Sequence, residues 1–381
     1  MPRGCDPSDV PGPRGQLPGT VLQQPSEAVV HLFPGQGDFA ISPLARAIRE
    51  HPVVRAAVTE VFAQVDEASS QYGIPALGAA LLGDAPPSGR ELAAAPIGTP
   101  QVALFGASMA IHRALCAIGA APQRMVAVSF GEIAALTAAG VFGIPEGTHI
   151  ACRLSRYLSR CRGGMTLVAA GPAAAGQLIA AAATARVAVA CVNDPEETVL
   201  SGPAQELERV EEHAAEQGVD AVRLRLPFAS HHPALAHQAK EFAASIRTLP
   251  RRPAHTPVHS AVHGGPYGRG DDVYQGLAAC LTSPARLPEV LRPAVASGPA
   301  LLLEAGTGAA LTRNARRVLA QREHAQREET VVARSPLGDP DFPWERPERL
   351  GPSAAVPWAR PHTAHRAPQG EAHRAPQGET A

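Results

Sequence analysis

The sequence predicts an α/β fold, a parallel sheet covered by helices with a small β-α-β-β-α-β subdomain inserted into it. Two rhythms predict it. Through most of the chain, short apolar runs that stop at Pro or Gly alternate with helical stretches, the pattern of a parallel sheet. Between residues 163 and 226 the rhythm changes to two strand–helix–strand halves in succession.

Taken in order, residues 1–26 are rich in Pro, Gly, Asp and Gln without an apolar period, and disorder is expected there. Ala28–Phe33 is an apolar run stopped by Pro34-Gly35-Gln36-Gly37, a strand followed by a loop. Apolar residues at helical spacing mark Thr99–Leu115. Arg124–Val128 reads as a strand, and Gly131–Gly140 as an Ala-rich helix ending on Gly. In the middle third, Met165–Ala169 reads as strand and Pro172–Ala183 as helix. Val187–Cys191 and Thr198–Leu200 read as strands around an Asn-Asp-Pro turn. Ala204–Gln217 reads as a charged amphipathic helix, and Ala221–Leu226 as an alternating strand. This is the ferredoxin-like arrangement. The α/β pattern resumes afterwards, with a strand at Ala300–Glu304. The expected organisation is a large α/β domain over 27–162 and 227–334, the insert at 163–226, and a linker and tail over 335–381 expected to be disordered. The tail is Pro- and Arg-rich and closes on a direct repeat, HRAPQGE at His365 and again at His373. Such a segment lacks the means to build a core.

The 381 residues are 45% hydrophobic and 18% charged, with 34 basic residues against 35 acidic. This length supports a sizeable core, and the near-zero balance argues against a nucleic-acid binder. No apolar stretch is long enough for a membrane span. The opening residues lack the apolar run of a signal peptide. Six scattered Cys, with no CxxC and no His pair at zinc spacing, read as free thiols of a cytoplasmic protein.

Ser129 is the nucleophile candidate. It sits at the strand-to-helix junction in Ala127-Val128-Ser129-Phe130-Gly131-Glu132, where a sharp turn lifts the central side chain above the sheet and small flanking residues allow close backbone approach. The Phe130 N–H lies at a helix N-terminus, where donors are unpaired and negative charge is favoured, as an oxyanion requires. Read alone, the hexapeptide fits either a nucleophile or an N-capping serine. Of the 15 His, His231 and His232 stand where the insert returns to the large domain, after Pro227-Phe-Ala-Ser230. Loops re-entering a sheet commonly carry site residues.

The chain resembles the malonyl-CoA:acyl-carrier-protein transacylase family, above all the acyltransferase domains of polyketide synthases. The resemblance rests on an ordered series over about 28–346: Phe33-Pro-Gly-Gln-Gly37, Thr99-Pro-Gln-Val-Ala-Leu-Phe105, Val128-Ser-Phe-Gly-Glu132, Gly163-Gly-Met165, Asn193-Asp-Pro195, Val199-Leu-Ser-Gly202, Phe228-Ala-Ser-His231, Glu304-Ala-Gly-Thr-Gly308 with Leu311, and Phe342-Pro-Trp-Glu-Arg346. It implies an α/β-hydrolase-like large domain and an acyltransferase of polyketide or antibiotic biosynthesis. Ser129 would attack the thioester with His231 as general base. The acyl group would then pass to the phosphopantetheine thiol of an acyl carrier protein, free or within a synthase. The N–H groups of Gln36 and Phe130 would hold the oxyanion, and the backbone carbonyl of Arg286, in Ser283-Pro-Ala-Arg286, would orient His231. Phe228, Ser230 and Asn193 fall among substrate-binding positions. No bound cofactor or metal is implied; acyl-CoA or acyl-phosphopantetheine is substrate.

The chain departs from the family pattern at two places. Val128 stands where the family has a His lining the acyl site, which makes that wall apolar. The family also uses an Arg on the helix after the elbow to grip the free carboxylate of malonyl-type substrates, a task suited to a bidentate guanidinium. Counting from Ser129 puts Leu154 there, and counting back from Gly163 puts Cys152. One deletion on each side puts Arg153 there. With Arg153 in the pocket, a malonyl-type or branched extender unit is expected. Otherwise the acyl or aminoacyl group lacks a carboxylate, with transfer or hydrolysis as its fate. Arg153, Arg156 and Arg160 also fit a solvated helix face that could meet an acidic carrier protein. A non-catalytic carrier-docking scaffold is the remaining alternative.

Overall fold

A computed structural model describes residues 28–296, 298–320 and 331–350. The first apolar run is β1 (Ala28–Phe33), ended by Pro34 and Gly35. Five helices follow: α1 (Ile41–Glu50), α2 (Pro52–Ser70), α3 (Leu77–Leu82), α4 (Gly89–Ala94) and α5 (Thr99–Ala117). Then come β2 (Arg124–Ala127), α6 (Gly131–Ala138) and α7 (Ile144–Leu158). The subdomain comprises β3 (Gly164–Val168), α8 (Pro172–Ala181), β4 (Ala188–Asp194), β5 (Glu197–Gly202), α9 (Ala204–Glu216) and β6 (Ala221–Arg223). The chain continues through α10 (Ala236–Ile246), β7 (Val258–Ser260), β8 (Gly265–Pro266), α11 (Val273–Ala279), β9 (Ala285–Arg286), α12 (Leu287–Ala294), β10 (Ala300–Glu304), α13 (Ala310–Ala320) and β11 (Val331–Arg334).

The large sheet has the order β11-β10-β1-β2-β7-β8. Its strands are parallel except for the β7–β8 pair. Successive residues point to opposite faces, and both faces are covered, so the strands read as continuous apolar runs. Phe33, Met125, Ala127, Leu301 and Leu303 join the larger core cluster with Phe62, Phe105 and Phe242 from α2, α5 and α10. Val30, Leu32, Val126 and Leu302 face the other way, onto Leu291 of α12 and Val318 of α13.

The subdomain sheet has the order β6-β3-β5-β4, antiparallel within these four strands, around its own core of Val168, Leu178, Leu200, Leu207 and Val210. Its two ends meet: Ala229 N–H donates to Cys161 O at 2.9 Å. A Cβ at Gly163 would lie 2.5 Å from Gly202 O, so only Gly permits this entry. Two features were absent from the sequence reading. Strand β9, from the large domain, extends the subdomain sheet by pairing in parallel with β4. Strand β6 stops at Arg223 rather than running on to Leu226.

A larger correction concerns residues 335–350, expected to be a disordered linker. Leu337, Phe342, Trp344 and Leu350 are buried in the main core. The Phe342 and Trp344 rings meet at 4.8 Å, and the Arg334 guanidinium lies 5.2 Å above Phe342. Pro and Arg content misled because four spaced apolar side chains suffice to anchor a short segment whose regular structure is one 3-10 turn, Pro347–Arg349. The N-terminal segment and the HRAPQGE repeats lie outside the described residues. Among the described residues no helix is long and apolar enough to cross a membrane, and the five described cysteines are free thiols.

Candidate active site

Ser129 lies two residues beyond the end of β2 and has φ +56°, a left-handed conformation rare for a residue with a side chain. The turn is held by bonds from Gly131 N–H to Val128 O and from Glu132 N–H to Ser129 O, both 3.0 Å. A Cβ at Gly131 would come within 2.2 Å of Phe33 O, so Gly alone lets α6 start this close to β1. The loop after β1 lies alongside: a Cβ at Gly35 would touch the Ser129 Cβ at 3.4 Å. Phe130 is the N-cap of α6, where backbone N–H groups lack intrahelical acceptors.

His231 has φ +55°, a second left-handed residue. Such strain amounts to about 1–3 kcal/mol per residue and persists where surroundings over-determine it. Here the neighbours do so. Ser230 Oγ–H donates to Cys280 O at 3.1 Å, and His232 N–H donates to Leu281 O at 2.9 Å. His231 Nδ1–H donates to Ser283 O at 2.7 Å. That bond fixes the tautomer, leaving Nε2 as an acceptor 2.7 Å from Ser129 Oγ. His231 is buried, and burial holds its pKa down at about 4 although the Ser283 bond opposes this. The ring is therefore neutral at physiological pH.

Three residues after Ser129, in the first turn of α6, is a carboxyl whose burial the sequence did not reveal. Glu132 is fully buried and accepts from Ser260 Oγ and, at 2.7 Å, from Tyr267 OH. Burial raises its pKa to about 7 despite these donors. Cys280 Sγ–H reaches Ser129 O at 3.6 Å.

A cleft of about 950 Å³ opens beside Gln36, between α4, α5 and α7 on one side and the segment Val222–Phe228 on the other. Leu104, Leu158 and Phe228 contribute apolar lining and Gln36, Gln101 and Ser155 polar points, while three arginines complete it: Arg90 and Arg225, both exposed, and Arg223, which is paired with Glu211. Gln101 Nε2–H donates to Gln36 Oε1 at 2.9 Å. Gln101 lies within the Thr99-Pro-Gln motif but had not been singled out. Among the described residues no three His, Cys, Asp or Glu side chains gather as metal ligands.

The profile of the acyl transferase domain family matches residues 57–342, more than half of the chain. The chain belongs to that family. Among similar curated proteins is the spectinabilin polyketide synthase protein NorC of Streptomyces orinoci, 32% identical over 66% of this chain and 11% of NorC. The polyketide biosynthesis protein ThaF of Burkholderia thailandensis is 31% identical over 54% of this chain and 18% of ThaF. This acyl transferase thus spans a small fraction of the length of those relatives. Among solved structures, a malonyl-CoA:acyl carrier protein transacylase of Xanthomonas oryzae pv. oryzae has a TM-score of 0.72, 24% identity, and coverage of 86% of this chain and 99% of the other. A loading acyltransferase from the avermectin modular polyketide synthase has a TM-score of 0.70 at 22% identity, covering 82% and 94% of the two chains. The shared fold is a large α/β domain with a small ferredoxin-like subdomain.

Several site residues of this acyl transferase lie elsewhere than the sequence implied. The carbonyl that meets His231 belongs to Ser283, not Arg286. Arg286 instead opens α12 from β9, its guanidinium 3.6 Å from Glu289. Both residues belong to the tetrapeptide Ser283-Pro-Ala-Arg286, in which the structure places a bend at Ser283. Arg153 turns away from the cleft, its Nη1 donating to Ser245 O and Thr248 Oγ1 on and beside α10. Leu154 is buried in the core, and α7 presents Ser155 and Leu158 to the cleft. Asn193 Nδ2–H donates to Glu197 Oε1 at 2.8 Å, away from the cleft lining. Val128 packs with Met165, Cys191 and Val199 in the cluster joining sheet and subdomain. Of the remaining candidates, Phe228 lines the cleft and Ser230 braces the His231 loop.

Proposed function

We propose that this acyl transferase carries an acyl group from an acyl-CoA or acyl-carrier thioester, by way of an ester on Ser129, to the phosphopantetheine thiol of an acyl carrier protein in polyketide biosynthesis. The observation that carries the reading is the chain of contacts from Ser129 Oγ to His231 Nε2 and from His231 Nδ1 to Ser283 O, 2.7 Å each. As Oγ attacks the thioester carbonyl, its proton passes to Nε2 and the oxyanion falls to the N–H groups of Gln36 and Phe130. Collapse expels the thiolate, which takes the proton from His231. The incoming thiol returns the same sequence, its proton going to Nε2 and then to Ser129 Oγ. The Ser283 carbonyl stands in for the carboxylate of a Ser-His-Asp triad: it orients the ring without adding charge.

The acyl group on this reading lacks a free carboxylate. With Arg153 committed to α10, the helix after the elbow offers the cleft a hydroxyl and an isobutyl group, Ser155 and Leu158. An ionised carboxylate beside them would lose water without gaining a cation from α7, and the arginines elsewhere in the lining are either exposed, as Arg90 and Arg225 are, or already paired, as Arg223 is with Glu211. Mass spectrometry of the intact protein after exposure to malonyl, methylmalonyl, acetyl and branched monocarboxylic thioesters tests both statements. Adducts of monocarboxylic acyl groups that vanish in Ser129→Ala are expected. Preferential malonyl labelling rejects the substrate class, and labelling that survives in Ser129→Ala rejects the nucleophile.

A further inference from the structure

On the outer side of α7 is a second cleft, of about 380 Å³, lined by Tyr72, Arg153, Arg156, Tyr157, Arg160 and Ser245. Among the described residues, none of its three arginines forms an ion pair with a carboxylate. They are nonetheless held in place. The Arg156 guanidinium lies 4.8 Å above the Tyr72 ring and that of Arg160 lies 5.9 Å above Tyr157. The rings are wedged in turn, Tyr72 against His149 and Tyr157 edge-on against Phe242. Arg153 is fixed by Ser245 and Thr248. Three unpaired cations positioned in this way await negative charge rather than merely solvating a helix.

Their spacing and place identify the occupant. Arg153 and Arg156 lie one turn apart on α7, and Arg160 follows in the turn just after its last residue, Leu158, so the three extend over about 10 Å at 1.5 Å per residue. A partner helix with carboxylates at i, i+3 or i+4 and i+7 matches that spacing. The surface also adjoins the acyl cleft across a wall that includes the buried Ile74 and Ser155. Ile74, two residues beyond Tyr72, reaches Gly98 in the cleft wall, as does Ser155, and Ser159 lines the acyl cleft while the next residue, Arg160, lines the outer one.

We infer that the Arg153–Arg156–Arg160 face docks an acidic helix of the carrier protein, so that its prosthetic arm enters the cleft toward Ser129. This rests on the proposed acyl transfer and adds to it the surface that selects the acceptor. The charges steer encounter and set register, while the arm delivers the thiol.

The test compares acceptors and donors in the full chain carrying Arg156→Glu and Arg160→Glu. Transfer to holo carrier proteins of polyketide and fatty acid synthases is measured beside labelling of Ser129 by an acyl N-acetylcysteamine thioester, which has no protein to dock. The docking face predicts at least a tenfold fall in kcat/KM for the carrier, carried by KM, with small-thioester labelling unchanged. It also predicts that added salt weakens transfer by the unaltered chain more than by the variant. An unchanged carrier KM overturns the docking face and leaves acyl transfer standing, as does a parallel loss of small-thioester labelling in a variant of undiminished Tm. Where the double reversal lowers Tm, Arg156→Gln and Arg160→Gln singly must each raise the carrier KM, or the inference fails. Transfer by the unaltered chain to none of the carriers overturns the proposed function and the docking face with it.

Discussion

At the scale of single residues, the site depends on two strained side chains braced by neighbours. Because burial keeps the His231 pKa at about 4, Nε2 remains an acceptor well below the usual titration of histidine. Acylation of Ser129 should therefore hold its rate from neutrality down to about pH 5 and fall near pH 4, read by single-turnover mass spectrometry. An acid limb near pH 6.5 would contradict the buried, neutral ring. Gly131→Ala tests the elbow. The added Cβ would meet Phe33 O, a backbone atom with no room to yield. Destabilisation at the upper end of the roughly 1–3 kcal/mol typical of overpacking is expected, seen as a lowered urea midpoint. Ser129 was legible as a candidate because elbow geometry demands small residues at fixed offsets. Glu132, just beyond it, went unread, since a carboxyl in a helix normally faces water and only the fold shows it fully buried.

At the scale of elements, α7 shows what a count along the chain leaves open. Sequence spacing put Arg153, Leu154 or Cys152 at the cleft. One residue is 100° of helix, so a single insertion or deletion decides which side chain points inward. The packing of α7 against α2, α5 and α10 settles this rotation and turns Ser155 and Leu158 toward the cleft. The segment after β11 makes the second case. Trp344 is buried against Phe342 beside the main core. Trp344→Ala should lower stability by about 3–5 kcal/mol, measured by chemical denaturation; a loss under about 1 kcal/mol would mean that the segment merely lies on the surface.

At the scale of the whole molecule, buried ionisable groups shape the dependence of stability on pH. Burial lowers the pKa of His31 to about 3 and of His112 and His231 to about 4. Between those values and about 6.5 the unfolded chain binds more protons, so these groups make stability rise with pH in that window. Glu132 acts oppositely. Its pKa, raised to about 7, means that the folded state binds more protons from about pH 4.5 to 7, and its contribution falls as pH rises. With three such histidines against one carboxyl, stability is expected to rise with pH through about pH 6.5 and to level off above about pH 7. Glu132→Gln should gain stability relative to the unaltered chain as pH goes from 5 to 8, in parallel Tm measurements; a constant difference would show that Glu132 does not titrate in that range.

The parallel sheet, the β-α-β-β-α-β rhythm, the Ser elbow and the neighbourhood of the His were all written in local pattern. Period, turn chemistry and small-residue spacing act over a few residues, and a sequence states them directly. The partner of His231, the direction of Arg153, the burial of Glu132 and the anchoring of residues 335–350 were decided only by tertiary structure. Each depends on which distant segment packs against it and in which rotation, and the combined packing of the core, rather than any local propensity, sets that choice.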